Sequence, residues 1–251
     1  MPHSGLRDAW NASDPSQFHK WNTGRKPLCV FGLLGGSMPS ASRLRARFDT
    51  NEGFRRLART DLPVDTVKLA RYLVGKVIIH DTASGRLSGR IVETEAYPVG
   101  DAAGYAFRGM IPRNGSLFLE RGHAYVYLVY GVSFLLNVTS ERAGVGAGVL
   151  LRAVEPLDGI ELMDSTLPRK QREDIGREPG RLTTAMQVDL THDRLDLCSA
   201  SSPLWLAATA RNTGAIGKSV RIGLTHGADS LLRFYERGNE HIRGPKRPHR
   251  E

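Results

Sequence analysis

Apolar and polar positions alternate with a clear period only after the first fifth of the chain. Residues 1 to about 55 carry no sustained period and are rich in Ser, Gly, Asn, Asp and Arg, which predicts a disordered or loosely attached extension. Ordered patterning starts near Asp65. In DTVKLARYLVG, apolar residues recur at helical spacing behind an aspartate N-cap, and Gly75 supplies the stop. KVIIH predicts a strand, TASG a turn and LSGRIVETEAY the returning strand. HAYVYLVYGVSFLLNV reads as two β-rich runs hinged at Tyr130-Gly131, AGVLLRAVEP as a further strand and PLDGIELMDSTL as a helix. EPGRLTTAMQV reads as a loop opening a helix, and SVRIGLT and LLRFYERG as two late strands. Strands with interspersed helices, lacking a βαβ rhythm, predict an α+β domain with a largely antiparallel sheet. The boundaries expected are an extension over 1–55, a domain over 56–245 and a basic tail over 246–251.

Charge adds a partner to this picture. The 251 residues hold 35 Lys and Arg against 26 Asp and Glu, a net charge of +9, which favours a polyanion. Cys29 and Cys198 stand far apart and match no metal or redox spacing, which suggests a reducing compartment. None of the eight histidines falls in a metal-ligand spacing, so neither a metal nor a cofactor is expected. CVFGLLGG, near the N-terminus, is too short to span a bilayer, and no membrane association is expected. Met38 offers a second translation start.

Against that basic background, ETEAY poses a question. Alternate residues of a strand share a face, so Ile91, Glu93, Glu95 and Tyr97 are expected together, with Val92, Thr94 and Ala96 on the core side. Two carboxylates would then stand about 7 Å apart at their Cα atoms. A solvent-facing strand is the plain reading; a carboxylate kept for chemistry beside a phosphate-binding surface is the other. Aromatic residues stand nearby in the sequence. In YVYLVYG, Tyr125 and Tyr127 share a face, and Tyr130 precedes a turn glycine. A large ring at a hairpin tip suits a wedge between base pairs, and an enzyme acting on a base must fill the gap that base leaves.

LARYLVGK, GRIVETEAY, the RG and PRN of FRGMIPRN, YVYLVYG, LLNV, GVLLRAVEP, PGRLT and LRFYERGN, in this order over residues 65 to 240, resemble the alkyladenine (3-methyladenine) DNA glycosylase family. The resemblance implies one compact domain around a curved antiparallel sheet with flanking helices, similar to the C-terminal domain of methionyl-tRNA formyltransferase. It implies base-excision repair: alkylated purines such as 3-methyladenine and 7-methylguanine are flipped from double-stranded DNA and hydrolysed off, leaving an abasic site. Glu95 falls on the general base that activates the water, Arg152 on the arginine that helps hold that water, and Ile222 on a residue whose backbone carbonyl does the same. Glu93 carries no role from the family and reads as structural, pairing with a nearby arginine. Tyr130 matches the intercalating tyrosine, Tyr97 and Tyr127 the aromatic walls of the base pocket, and Asn137 the residue that obstructs the 2-amino group of normal guanine. Arg181, at the start of PGRLT's helix, and the weaker candidates Arg108 and Arg113 are expected at phosphates. No lysine is placed as a nucleophile, which implies a monofunctional enzyme. A monomer in the cytoplasm, associated with the nucleoid in a bacterium, is expected.

Two positions depart from the family pattern. AAGYAFRG carries Tyr105 where the family has a histidine that hydrogen-bonds the flipped base, which puts the neutral substrates hypoxanthine and ethenoadenine in doubt. Glu178 stands where glycine often precedes the Pro-Gly. A lesion-binding protein without activity is the rival reading; a formyl-transfer-related domain rests on fold analogy alone.

Overall fold

One long strand organises the domain. In the computed structural model, which describes residues 53–167 and 174–242, β3 (Gly85–Tyr97) pairs along one edge with β6 (Gly148–Asp158). Its other edge is shared: β2 (Val77–Thr82) takes residues 85–90, and β9 (Arg233–Glu236) takes Glu93 to Glu95. The strand changes partner where its register with β6 shifts, between Ile91 and Thr94. A bulge here adds a residue and bends the strand, so a single ribbon serves two neighbours.

Among the described residues the antiparallel sheet has nine strands and runs β1 (Arg55–Arg56), β7 (Leu204–Ala208), β2, β3, β6, β5 (Ser133–Thr139) and β4 (Ala124–Val129). β8 (Ile216–Ser219) joins through β9. On one face lie α1 (Thr66–Leu73), α2 (Ile160–Thr166) and α3 (Pro179–Ala185). Helix α1 buries Thr66, Leu69, Ala70 and Leu73, a stripe at helical spacing, and the Asp65 carboxylate accepts the Lys68 amide at 2.7 Å as its cap. Leu69, Leu73, Ile78, Ile91, Ala96, Leu136, Val149, Leu151, Met163 and Leu182 share one apolar core on that face. A smaller cluster of Val77, Ile79, Trp205 and Ala207 covers the opposite face under β2 and β7. The described residues therefore form an α+β domain with an antiparallel sheet, as the patterning predicts, and with flanking helices, as the resemblance implies.

Four local expectations change. Ile91, expected on the face of Glu93, lies in the core with Ala96, because the bulge at Val92 inverts the alternation between them. The strand expected at SVRIGLT is Ile216–Ser219, and Arg221 to Thr225 follow as irregular chain with bends at Ile222, Gly223 and Thr225. LWLAA, absent from the expectations, is β7, whose pairing joins β1 to β2. Order starts before Asp65, since Arg55 and Arg56 pair with Ala208 and Ala207. A two-residue strand has no period to read. Most of the expected extension, Cys29, Met38 and the expected tail at 246–251 lie outside the described residues.

Candidate active site

Beyond the bulge, Glu93, Glu95 and Tyr97 project from the face opposite the core. Pairing registers build a row there. Glu95 stands opposite Leu150, Leu150 opposite Asn137, and Asn137 opposite Tyr125, so four strands set these side chains side by side. Glycine at position 148, opposite Tyr97, adds no side chain to this surface.

Glu95 is fully buried, and its carboxylate is held from three directions. Oε1 accepts the Ile222 amide at 2.9 Å and faces Arg152 Nη1 at 3.2 Å; Oε2 accepts the Tyr97 hydroxyl at 3.0 Å. Burying a carboxylate is costly unless it is paired and hydrogen-bonded, and this one is both. Arg152 also donates from Nε to Glu93 Oε1 at 2.9 Å, and Arg233 Nε donates to the same oxygen at 2.6 Å. Glu93 is thus paired with arginine, as expected of a structural acid, but with two of them. Ile222 contacts the carboxylate through its N–H, where the resemblance implies a carbonyl at the water.

Burial, and the negative charge of Glu95 beside it, hold the Tyr97 phenol far above its usual pKa. It remains a hydrogen-bond donor across the ordinary pH range. Arg221 stacks behind its ring, Cζ to centroid 4.6 Å, and donates to Ala96 O at 2.9 Å and to Asp101. That pair ties the loop after β3 to the segment carrying Ile222. Asn114 fixes the far end of this loop through Tyr105 O at 2.8 Å, Gly109 O at 3.0 Å and the Ile111 amide at 2.7 Å. The RG and PRN motifs therefore shape one turn.

Tyr105, Tyr125 and Tyr127 form an aromatic cluster. Tyr125 and Tyr127 stack at 5.0 Å, and Tyr105 tilts over Tyr127 at 4.5 Å. Burial raises the pKa of both Tyr125 and Tyr127 well above the ordinary phenol range. The buried Tyr125 hydroxyl finds no hydrogen-bond partner among the described residues, a cost that a polar group entering the cluster would offset. Asn137 is buried, and its amide donates to Tyr125 O at 3.3 Å.

Tyr130 occupies the tip of the β4–β5 hairpin, 95% exposed. Its φ of 52° and that of Gly131, 70°, give the turn its left-handed centre, closed by the Val132 amide on Val129 O at 3.1 Å. Arg113 lies 5.8 Å from the Tyr105 ring centroid, and Arg108 is exposed on the same loop. Arg181 is engaged: Asp174 takes it at 2.7 Å and Glu178 lies at 3.7 Å. Glu178 itself adopts φ 66° and ψ 144°, a conformation that favours glycine, which explains what the family pattern has there.

Two residues in contact with this site escaped the sequence reading, Arg233 and Arg221. An arginine inside the apolar run LLRFY was a usable signal, because a buried guanidinium needs an acid and ETEAY offers two. Among the described residues no three His, Cys, Asp or Glu side chains gather as a metal site, and no helix is long and apolar enough to cross a membrane.

A strand carrying a buried carboxylate clasped by arginine, beside stacked tyrosines and under an exposed aromatic hairpin on a basic protein, defines a base-handling nucleic-acid enzyme. The profile of the methylpurine-DNA glycosylase family matches residues 60–240, and the chain belongs to that family. A Mesorhizobium japonicum protein, provisionally named a 3-methyladenine DNA glycosylase, is 58% identical over 190 residues, 76% of this chain and 91% of its own length. Similarly named proteins of Paraburkholderia phytofirmans and Chlorobaculum tepidum are 49% identical over 191 residues and 39% identical over 195. They match 76% and 75% of this chain and 89% and 90% of their own lengths.

Proposed function

We propose that the protein excises alkylated purines from double-stranded DNA by hydrolysing the N-glycosidic bond, with Glu95 as general base. The observation that carries this reading is the carboxylate itself: fully buried, aligned by Arg152 and the Ile222 amide, and capped by Tyr97. Its proton-accepting edge is Oε2. When the Tyr97 hydroxyl yields that oxygen, a water there can pass its proton to Glu95 while its oxygen attacks C1′. The glycosidic electron pair leaves with the purine, and the negative carboxylate stabilises positive charge growing on the sugar.

Substrate preference follows from the walls. Tyr97 and Tyr127 offer aromatic faces, which attract a ring carrying positive charge more than a neutral one. An N-methylated purine is such a ring, and its charge makes it a good leaving group. Asn137, beside Leu150 and Glu95 in the row, acts by obstruction of the guanine 2-amino group. Tyr130 fills the stack when the nucleotide is extruded. Arg108 and Arg113, on the exposed loop, serve the phosphates better than Arg181, whose charge is already met by Asp174. The enzyme acts as a monomer, on chromosomal DNA in the cytoplasm.

The test is release of free bases from a randomly methylated duplex. Wild type is expected to free 3-methyladenine or 7-methylguanine, and Glu95→Gln to lose release by about 100-fold or more with DNA binding kept. Undiminished release by Glu95→Gln rejects the general-base assignment. Binding without release by wild type would select the rival reading, a lesion binder.

A further inference from the structure

The two acids of ETEAY differ in what holds them, and that difference gives the first one a task. Glu95 Oε1 faces Arg152 Nη1 at 3.2 Å, whereas Glu93 Oε1 accepts Nε of both Arg152, at 2.9 Å, and Arg233, at 2.6 Å. Arg233 is anchored in turn by Ser219 Oγ at 3.1 Å and lies 5.0 Å from the Tyr235 ring centroid. The side chains of Glu93, Glu95, Arg152 and Arg233 are 2%, 0%, 11% and 7% exposed. Among the described residues, two carboxylates and two guanidiniums, their charges balanced, therefore meet in one buried cluster.

We propose that Glu93, braced by Arg233, is the positioning residue of this centre: it holds Arg152 by Nε so that Nη1 meets Glu95, and it balances the charge that Arg233 brings. The inference rests on Glu95 being the base. A guanidinium is planar, so fixing Nε on one acceptor fixes the direction of the remaining donors. The sign of the cluster then sets the strength of the base. Without Glu93, two guanidiniums face one carboxylate, and Glu95 holds its negative charge more firmly and accepts a proton less readily. Without Arg233, two carboxylates share one guanidinium, and Glu95 takes up a proton at higher pH. The other groups at Glu95, the Ile222 amide on Oε1, the Tyr97 hydroxyl on Oε2 and the Arg221 guanidinium behind the Tyr97 ring, are common to all these variants.

The test compares full-length wild type, Glu93→Gln, Arg233→Gln and the double variant. The Glu95 carboxyl is followed by 13C resonance during a pH titration, and single-turnover release of 7-methylguanine is measured with enzyme in excess. In Glu93→Gln the Glu95 titration and the acid limb of release are expected to fall by about one pH unit, and the plateau rate by about tenfold. Lesion-duplex affinity should stay within about twofold. Arg233→Gln should move the titration the opposite way, and the double variant should return it toward wild type. A role confined to folding predicts lower stability with an unmoved titration, and that result overturns the proposal, as do shifts of the same sign in both single variants. If Glu93→Gln does not fold, Arg233→Gln and the double variant still decide: an unmoved Glu95 in both rejects the proposal. A wild type that releases no base refutes the glycosylase reading, while the carboxyl titration still judges Glu93.

Discussion

Tyr130 is placed against its own backbone preference. It holds φ 52°, is 95% exposed, and precedes Gly131 at φ 70°. A side chain with Cβ in the left-handed region costs about 1 kcal/mol. The ring buries almost nothing in return, so its removal forfeits little packing. Asparagine tolerates this region, and Asn-Gly is the favoured pair where both central turn residues have positive φ. Tyr130→Asn should therefore raise the unfolding free energy by about 0.5–1 kcal/mol, or Tm by about 1–4 °C for a domain of this size. On DNA the sign reverses. Stacking an aromatic ring against a base contributes about 1–3 kcal/mol, so affinity for a lesion-containing duplex should drop by about 5- to 150-fold. Urea unfolding followed by fluorescence reads the first effect, and anisotropy titration at fixed salt reads the second. A variant less stable than wild type would refute the strain argument. A variant that is more stable and binds and excises like wild type would refute the wedge.

Two further expectations concern stability. Glu178→Gly should stabilise the fold by about 1 kcal/mol in urea unfolding, because relief at φ 66°, ψ 144° outweighs both the added freedom of the unfolded chain and the long Arg181 contact at 3.7 Å; a loss of stability would mean that Glu178's contacts dominate. Glu236, whose carboxyl is drawn down to about 2 by its hydrogen bonds with Arg90, has a depressed folded pKa, so its contribution is complete above the unfolded value near 4.5 and is lost as pH falls towards 2. Thermal unfolding between pH 5 and pH 2 should show Tm falling less steeply in Glu236→Gln than in wild type, and parallel slopes would exclude the linkage.

The sequence by itself determined the parts whose information is local. The helical stripe behind Asp65, the β2–β3 hairpin at TASG, the Tyr130-Gly131 turn and the long β6 strand all carry a period or a turn signal within a dozen residues. ETEAY and YVYLVYG carried the candidate acid and the aromatic residues, and the ordered motifs carried the family. Tertiary structure decided what depends on distant partners. Ile91 joins the core because a bulge interrupts the pairing of β3 with β6, and no alternation within the strand announces it. LWLAA becomes an internal strand of the sheet through pairing with residues more than a hundred positions away. Arg233 reaches Glu93 across 140 residues, and the Ile222 amide reaches Glu95 across 127. Local propensity sets how a segment folds. The ionisation and aim of a buried carboxylate are set by charges brought to it through sheet register, which exists only once the whole sheet has formed.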